Sequence, residues 1–103
     1  MKLSFNVENK KIELQNKNNE TINSWDVNTE KTFFFSKNSI IKFIAIYIVF
    51  CDKTNVFFCN GVRRQTGETF DICEDDQIEN YFMVDTKIIA KNTKKCMEEE
   101  LWN

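Results

Sequence analysis

Four carboxylates within six residues, Glu74, Asp75, Asp76 and Glu79, form the densest group of chemically able side chains in this 103-residue chain. Carboxylate oxygens hold hard divalent cations, but the run lacks the glycine and the ligand spacing of an EF-hand loop, so a solvated acidic loop is the weightier reading. The chain has no His, hence no imidazole base, and Ser4, Ser24, Ser36 and Ser39 stand outside any G-x-S-x-G elbow. Its four Cys (Cys51, Cys59, Cys73, Cys96) form no C-x-x-C pair, and none has a neighbouring base in sequence. A zinc site would need all four thiolates from dispersed positions. Two Gly are too few for the phosphate-cradling loops. Arg63 and Arg64 beside the Gly67 turn are read first as ion-pair partners of Glu68 or Asp71 and only second as a phosphate contact. Trp25 and Trp102 are core residues or interface anchors. No catalytic residue, metal site or cofactor is expected, and binding is the chemistry that remains.

The length predicts one domain, residues 1-103. Zero Pro, two Gly, ten Phe and 42% apolar residues argue for a globular chain, with thirteen Asn in its polar connections. Charge is divided unevenly. Residues 1 to 67 carry ten Lys/Arg against six Asp/Glu, while 68 to 103 carry four against ten. An acidic surface of that kind repels nucleic acid and steers a basic partner, or simply keeps the protein soluble. The apolar run Ile40 to Cys51 is too short to span a bilayer, and the N-terminus shows no signal-peptide h-region, so a cytoplasmic protein with four free thiols is expected.

The elements that must position these groups read as strands. Ile40 to Phe50 is rich in β-branched and aromatic residues with apolar side chains on both parities, which predicts a central strand covered on both faces. A helix capped by Asn38 or Ser39 is the competing reading. Leu3, Phe5 and Val7 alternate, then Ile12 and Leu14. With Asn9-Lys10 as the tip, Val7 faces Ile12 and Phe5 faces Leu14. Ile22 to Val27 is a weaker third strand, and Thr32 to Phe35 is a short aromatic one. A turn at Lys53-Thr54 sets Cys51 opposite Val56 and Cys59 opposite Ile48, and Val56 to Val62 returns beside the centre, with a bulge or a close backbone approach at Gly61. Thr69 to Cys73 returns again. The acidic run starts a single helical turn capped by Asp75, setting Ile78 against Phe82. Tyr81 to Ala90 is a half-buried strand, with Phe82, Val84, Ile88 and Ala90 on one face and Tyr81, Met83, Asp85 and Lys87 on the other. Lys91 to Trp102 is a short helix or a tail. The expected fold is mainly β, a single-domain antiparallel sandwich or half-open barrel of six to eight strands with one or two short helices. The alternative is α+β, with a C-terminal helix covering one sheet face.

In size, Asn and Lys content, acidic face and lack of a catalytic motif, the chain resembles small bacterial immunity proteins of contact-dependent growth-inhibition toxin systems. Glu74, Asp75, Asp76 and Glu79 are the positions that carry over, as a toxin-facing patch. The resemblance implies a cationic toxin domain as partner, often a nuclease such as a ribonuclease, neutralised by occluding its active site or substrate groove, without direct nucleic-acid or membrane contact. The modest net charge of -2 leaves room for aromatic anchors, Tyr81 or Trp102. A generic interaction module or assembly subunit and a small-ligand β-barrel or enzyme are the alternatives.

Overall fold

The computed structural model describes residues 1–28, 30–37, 42–74 and 77–87. Period-two alternation folds the beginning of the chain into a meander of β1 (Lys2–Asn6), β2 (Lys11–Gln15) and β3 (Thr21–Asp26). Leu3, Phe5, Ile12 and Leu14 are fully buried, while the residues between them stand on the other face. The turn is longer than expected. Val7 to Lys10 form a four-residue turn in which the Lys10 N–H donates to the Val7 carbonyl at 3.3 Å and the Asn9 N–H to Asn6 Oδ1 at 3.1 Å. Phe5 therefore pairs with Ile12 and Leu3 with Leu14, two residues away from the expected register. Because side chains alternate with period two, this correction leaves every residue on its expected face.

The second sheet is built from β4 (Lys31–Lys37), β5 (Ile44–Cys51), β6 (Val56–Cys59) and β7 (Val62–Arg64), with β9 (Ile78–Asp85) added beside β4. The strand β5 lies in the middle of the order β7-β6-β5-β4-β9, as its composition predicts; Ile40 and Ile41 lie outside the described residues. Only one of its faces is fully covered: Ile46, Ile48 and Phe50 are buried, while Ala45 and Tyr47 are exposed. The turn at Lys53-Thr54 is as expected, pairing Cys51 with Val56 and Cys59 with Ile48. The expected strand Val56 to Val62 is instead two strands. Asn60 (φ 50°) and Gly61 (φ 80°) make a two-residue hairpin between the paired Cys59 and Val62, the turn that an Asn-Gly pair favours because both residues tolerate positive φ.

The next strand also departs from expectation. Thr69–Asp71, β8, does not extend the second sheet but crosses to the first, pairing Leu3 with Phe70. The Ile72 N–H continues that ladder to the Met1 carbonyl at 2.9 Å. The chain then returns, and Ile78 opens β9 as a strand residue instead of closing a helical turn. The nine strands of the described residues give two antiparallel sheets, β3-β2-β1-β8 and β7-β6-β5-β4-β9, stacked as a sandwich. Their facing side chains form one core that joins Leu3, Phe5, Ile12 and Leu14 to Phe33, Phe35, Ile46, Ile48 and Phe57. The expected Lys91 to Trp102 helix or tail lies outside the described residues.

Two substitutions separate core packing from turn geometry in urea unfolding. Phe33→Ala removes a fully buried ring and should lower stability by about 3 to 5 kcal/mol. Gly61→Ala meets no atom within 4 Å and should cost only the positive-φ penalty, roughly 1 kcal/mol. Equal losses would place Phe33 outside the core.

Candidate functional site

The acidic run spans the crossover from β8 in one sheet to β9 in the other. Glu74 sits exposed at a bend after β8 and lines a half-open cleft of about 450 Å³ together with Lys2, Lys17, Asp71 and Cys73. Glu79 is exposed near the start of β9, where a bulge interrupts the pairing between Lys37↔Ile78 and Ser36↔Asn80; bulges re-aim the side chains beside them. Both described members of the run therefore stand at the surface, on either side of the crossover. Asp75, Asp76 and Trp102 lie outside the described residues.

Tyr81 is placed differently from a surface anchor. Its ring is half-buried and packs against Phe33 (centroids 6.1 Å apart) and edge-on to Trp25 (6.0 Å). The pairing of β9 with β4 sets Tyr81 opposite Phe35 and Met83 opposite Phe33, so the Tyr81 and Met83 face of β9 turns toward the core. Phe82 and Val84, the residues that alternation alone offers as the apolar face, look outward. Trp25 is likewise a core-facing residue, edge-on to Phe33 at 5.5 Å.

That reversal creates a surface feature which sequence reasoning misses. On the outer face of the five-stranded sheet, Phe34 stacks on Phe82 at 5.1 Å and Phe43 meets the same ring edge-on at 5.1 Å. Phe43 and Phe82 are each 41% exposed, and Tyr47 is 37% exposed. Beyond these, the face carries Ala45, Val49, Phe58 and Val84, fixed by the pairs Phe34↔Ala45, Thr32↔Val84 and Val49↔Phe58. The available signal is Phe33-Phe34-Phe35: three consecutive Phe in one strand cannot share a face, so one must point away from the core. A hydrogen bond to the Glu30 carboxylate, with burial and the same negative charge adding to it, raises the Tyr47 phenol pKa.

Charged pairs elsewhere link elements of the fold. Lys10 reaches Asp52 at 2.9 Å and stands over the Phe50 ring at 5.4 Å, tying the first hairpin of one sheet to a hairpin of the other. Arg64 pairs with Glu68 at 3.7 Å and covers the Phe70 ring at 5.4 Å, in line with the ion-pair reading of that residue. Among the described residues no three His, Cys, Asp or Glu side chains are grouped to hold a metal ion. No described helix is long and apolar enough to cross a membrane. Cys51, Cys59 and Cys73 are thiols; Cys96 lies outside the described residues. The Thr54 hydroxyl, donating to the Cys51 sulfur, lowers that thiol's pKa, and the N–H groups of Thr54 and Lys53 add to the effect. Burial pushes Cys59 up to about 11, against the pull of Arg64.

No family model matches the sequence, and comparison with curated proteins and with solved structures finds no match.

The two thiols should separate in alkylation at pH 8, where only a thiolate reacts. Iodoacetamide should modify Cys51 well before Cys59, and Thr54→Ala, which removes the hydroxyl donor, should slow Cys51. Peptide mapping after timed quenching reads both. Because the Cys59 pKa is raised in the folded state, its neutral form stabilises the fold at and below neutral pH. That contribution should fade as pH rises from about 9 toward 11.

Proposed function

We propose that this chain is a non-catalytic cytoplasmic binding protein of the immunity type, which neutralises a cationic toxin domain by covering its active site or substrate groove. The observation that carries this reading is that Glu74 and Glu79, the described members of the acidic run, are both at the surface, within the part of the chain that holds ten acidic residues against four basic ones. A toxin domain that cleaves nucleic acid must gather phosphates with Lys and Arg, and a carboxylate cluster competes for those same groups. It also speeds encounter, because opposite fields steer association. Inhibition by occlusion asks for a rigid surface and no reacting group, which a two-sheet sandwich supplies.

A second reading, a general interaction module, is favoured by a specific feature, the exposed rings of Phe43 and Phe82 packed together with the half-buried Phe34. Aromatic rings displayed on a sheet surface are the residue types that anchor protein interfaces. The two readings differ in what drives binding, carboxylates in the first and apolar contact in the second.

The test is titration against the polypeptide encoded immediately upstream, held in an inactive form. Reversing Glu74 and Glu79 to Lys, and in a second variant Asp75 and Asp76, should weaken binding by roughly 2 to 5 kcal/mol per pair and slow association, with a reduced salt dependence. Folding stability should move by less than about 1 kcal/mol, because exposed carboxylates contribute little to it. Full protection of cells by both variants would remove the acidic run from the mechanism.

A further inference from the structure

An antiparallel strand needs two neighbours to use all its backbone groups, and the described strands leave β9 with one. The ladder with β4 shows which groups remain. The Thr86 N–H donates to the Glu30 carbonyl at 3.1 Å, on the same register that pairs Thr32 with Val84 and Phe34 with Phe82. Antiparallel bonding alternates along the chain, so Phe82 and Val84 direct their N–H and C=O groups at β4, while Tyr81 and Met83 turn theirs to the other edge. Among the described residues no strand lies there.

The two sheets of the described residues end in four edges, and three of them are guarded in ways that discourage pairing. Strands β7 and β8 are only three residues long, and β7 carries Arg63 and Arg64. Strand β3 is polar apart from Ile22 and Trp25, and its register shifts where it meets β2. Strand β9 has eight residues with no Lys, Arg or Pro, and its bulge lies at its beginning, so the uncharged stretch Tyr81 to Val84 is regular. This edge is also where the aromatic outer face ends. Phe82, 41% exposed, is the ring at the rim, with Phe34 behind it in β4.

We infer that β9 pairs antiparallel with β9 of a second copy of this chain, about a two-fold axis at Phe82. That register sets Tyr81 opposite Met83 of the second copy and Met83 opposite its Tyr81, so the backbone groups that β4 leaves over are satisfied reciprocally. Phe82 meets its own counterpart in a non-hydrogen-bonded pair, the closer kind, and the row Phe34-Phe82 continues across the axis into the same two rings of the second copy. The stretch Tyr81-Phe82-Met83 thus complements itself, which favours a second copy over an unrelated strand. Size sets the strength. An eight-residue strand is about 27 Å long and two stacked sheets with their side chains are roughly 20 Å thick, so each copy offers roughly 500 Å². The total of about 1,000 Å² is at the lower bound for a specific interface, so the dimer dissociates on dilution. Its ends oppose it, because the register brings Glu79 across from Asp85 of the second copy, and like charges so placed repel.

Sedimentation of the full chain across a wide range of concentration, with hydrogen exchange on the same samples, tests this. Concentrated protein should sediment as a dimer. Amides of Tyr81 and Met83 should then exchange roughly tenfold more slowly than in dilute protein, while those of Phe82 and Val84, bonded to β4, stay protected in both. Phe82→Lys, which sets two charges against each other on the axis, should leave a monomer at every concentration, with amides of β1 and β5 still protected. Glu79→Lys, which meets Asp85 of the second copy, and added salt, which screens the like charges, should each tighten the dimer severalfold. A chain that stays monomeric at every concentration would overturn the pairing, as would a dimer that survives Phe82→Lys. Tyr81 and Met83 amides protected alike in dilute and concentrated protein would show the edge covered from within the chain and overturn it too.

Discussion

The packing of Phe33 is the contact on which the sandwich depends. Its ring is fully buried, and three aromatic neighbours reach it from three strands: Trp25 of β3 in the opposite sheet, Phe35 of its own strand, and Tyr81 of β9. Such contacts contribute more than their buried area, because offset and edge-on rings satisfy each other's quadrupoles. One side chain thus joins the edge strand of the first sheet to the inner strand β4 and the edge strand β9 of the second. The orientation of β9 follows from it. With Tyr81 and Met83 drawn to the Phe33 side, Phe82 has no choice but to face outward, and the aromatic outer surface results from that geometry.

Much of the fold is legible in the sequence because it rests on period-two alternation and on composition. Leu3, Phe5, Ile12 and Leu14 announce two paired strands, and a β-branched run announces the middle of a sheet. The Lys53-Thr54 turn is legible to the residue, since its flanking apolar runs allow few registers. Sequence reasoning fails where several backbone solutions share one pattern. The Val7 to Lys10 turn shifts pairing by two residues without moving any side chain to another face, so hydrophobicity carries no information about it. At Asn60-Gly61 the information exists, but a lone Gly61 suggests a bulge inside a strand whereas the Asn-Gly pair marks a hairpin. The chain has only two Gly and no Pro, and Asn does much of their work: Asn19, Asn55 and Asn60 all adopt positive φ.

The site is less legible than the fold. Charge density marks Glu74 and Glu79 as surface residues without any structure, because burying unpaired carboxylates is costly. Aromatic residues carry no such sign. Tyr81 and Phe82 are adjacent, both large and both apolar in bulk, and only the pairing partner across the ladder decides which is core and which is surface. That partner, β4, lies far away in the sequence, so the assignment is a property of topology.

Topology also sets the order in which this protein can be completed. The inner strand β1 receives its second neighbour only when Thr69–Asp71 arrives, and β4 receives its own only with Ile78–Asp85. A nascent chain that has emerged as far as Arg64 already contains both hairpin systems, yet β1 and β4 each present a bare row of backbone donors and acceptors. Ladders closed between such distant segments carry a large loop-closure entropy and form slowly. During synthesis these two edges are therefore the points at which neighbouring chains can pair wrongly, and β8 and β9 double as the covers that end that exposure.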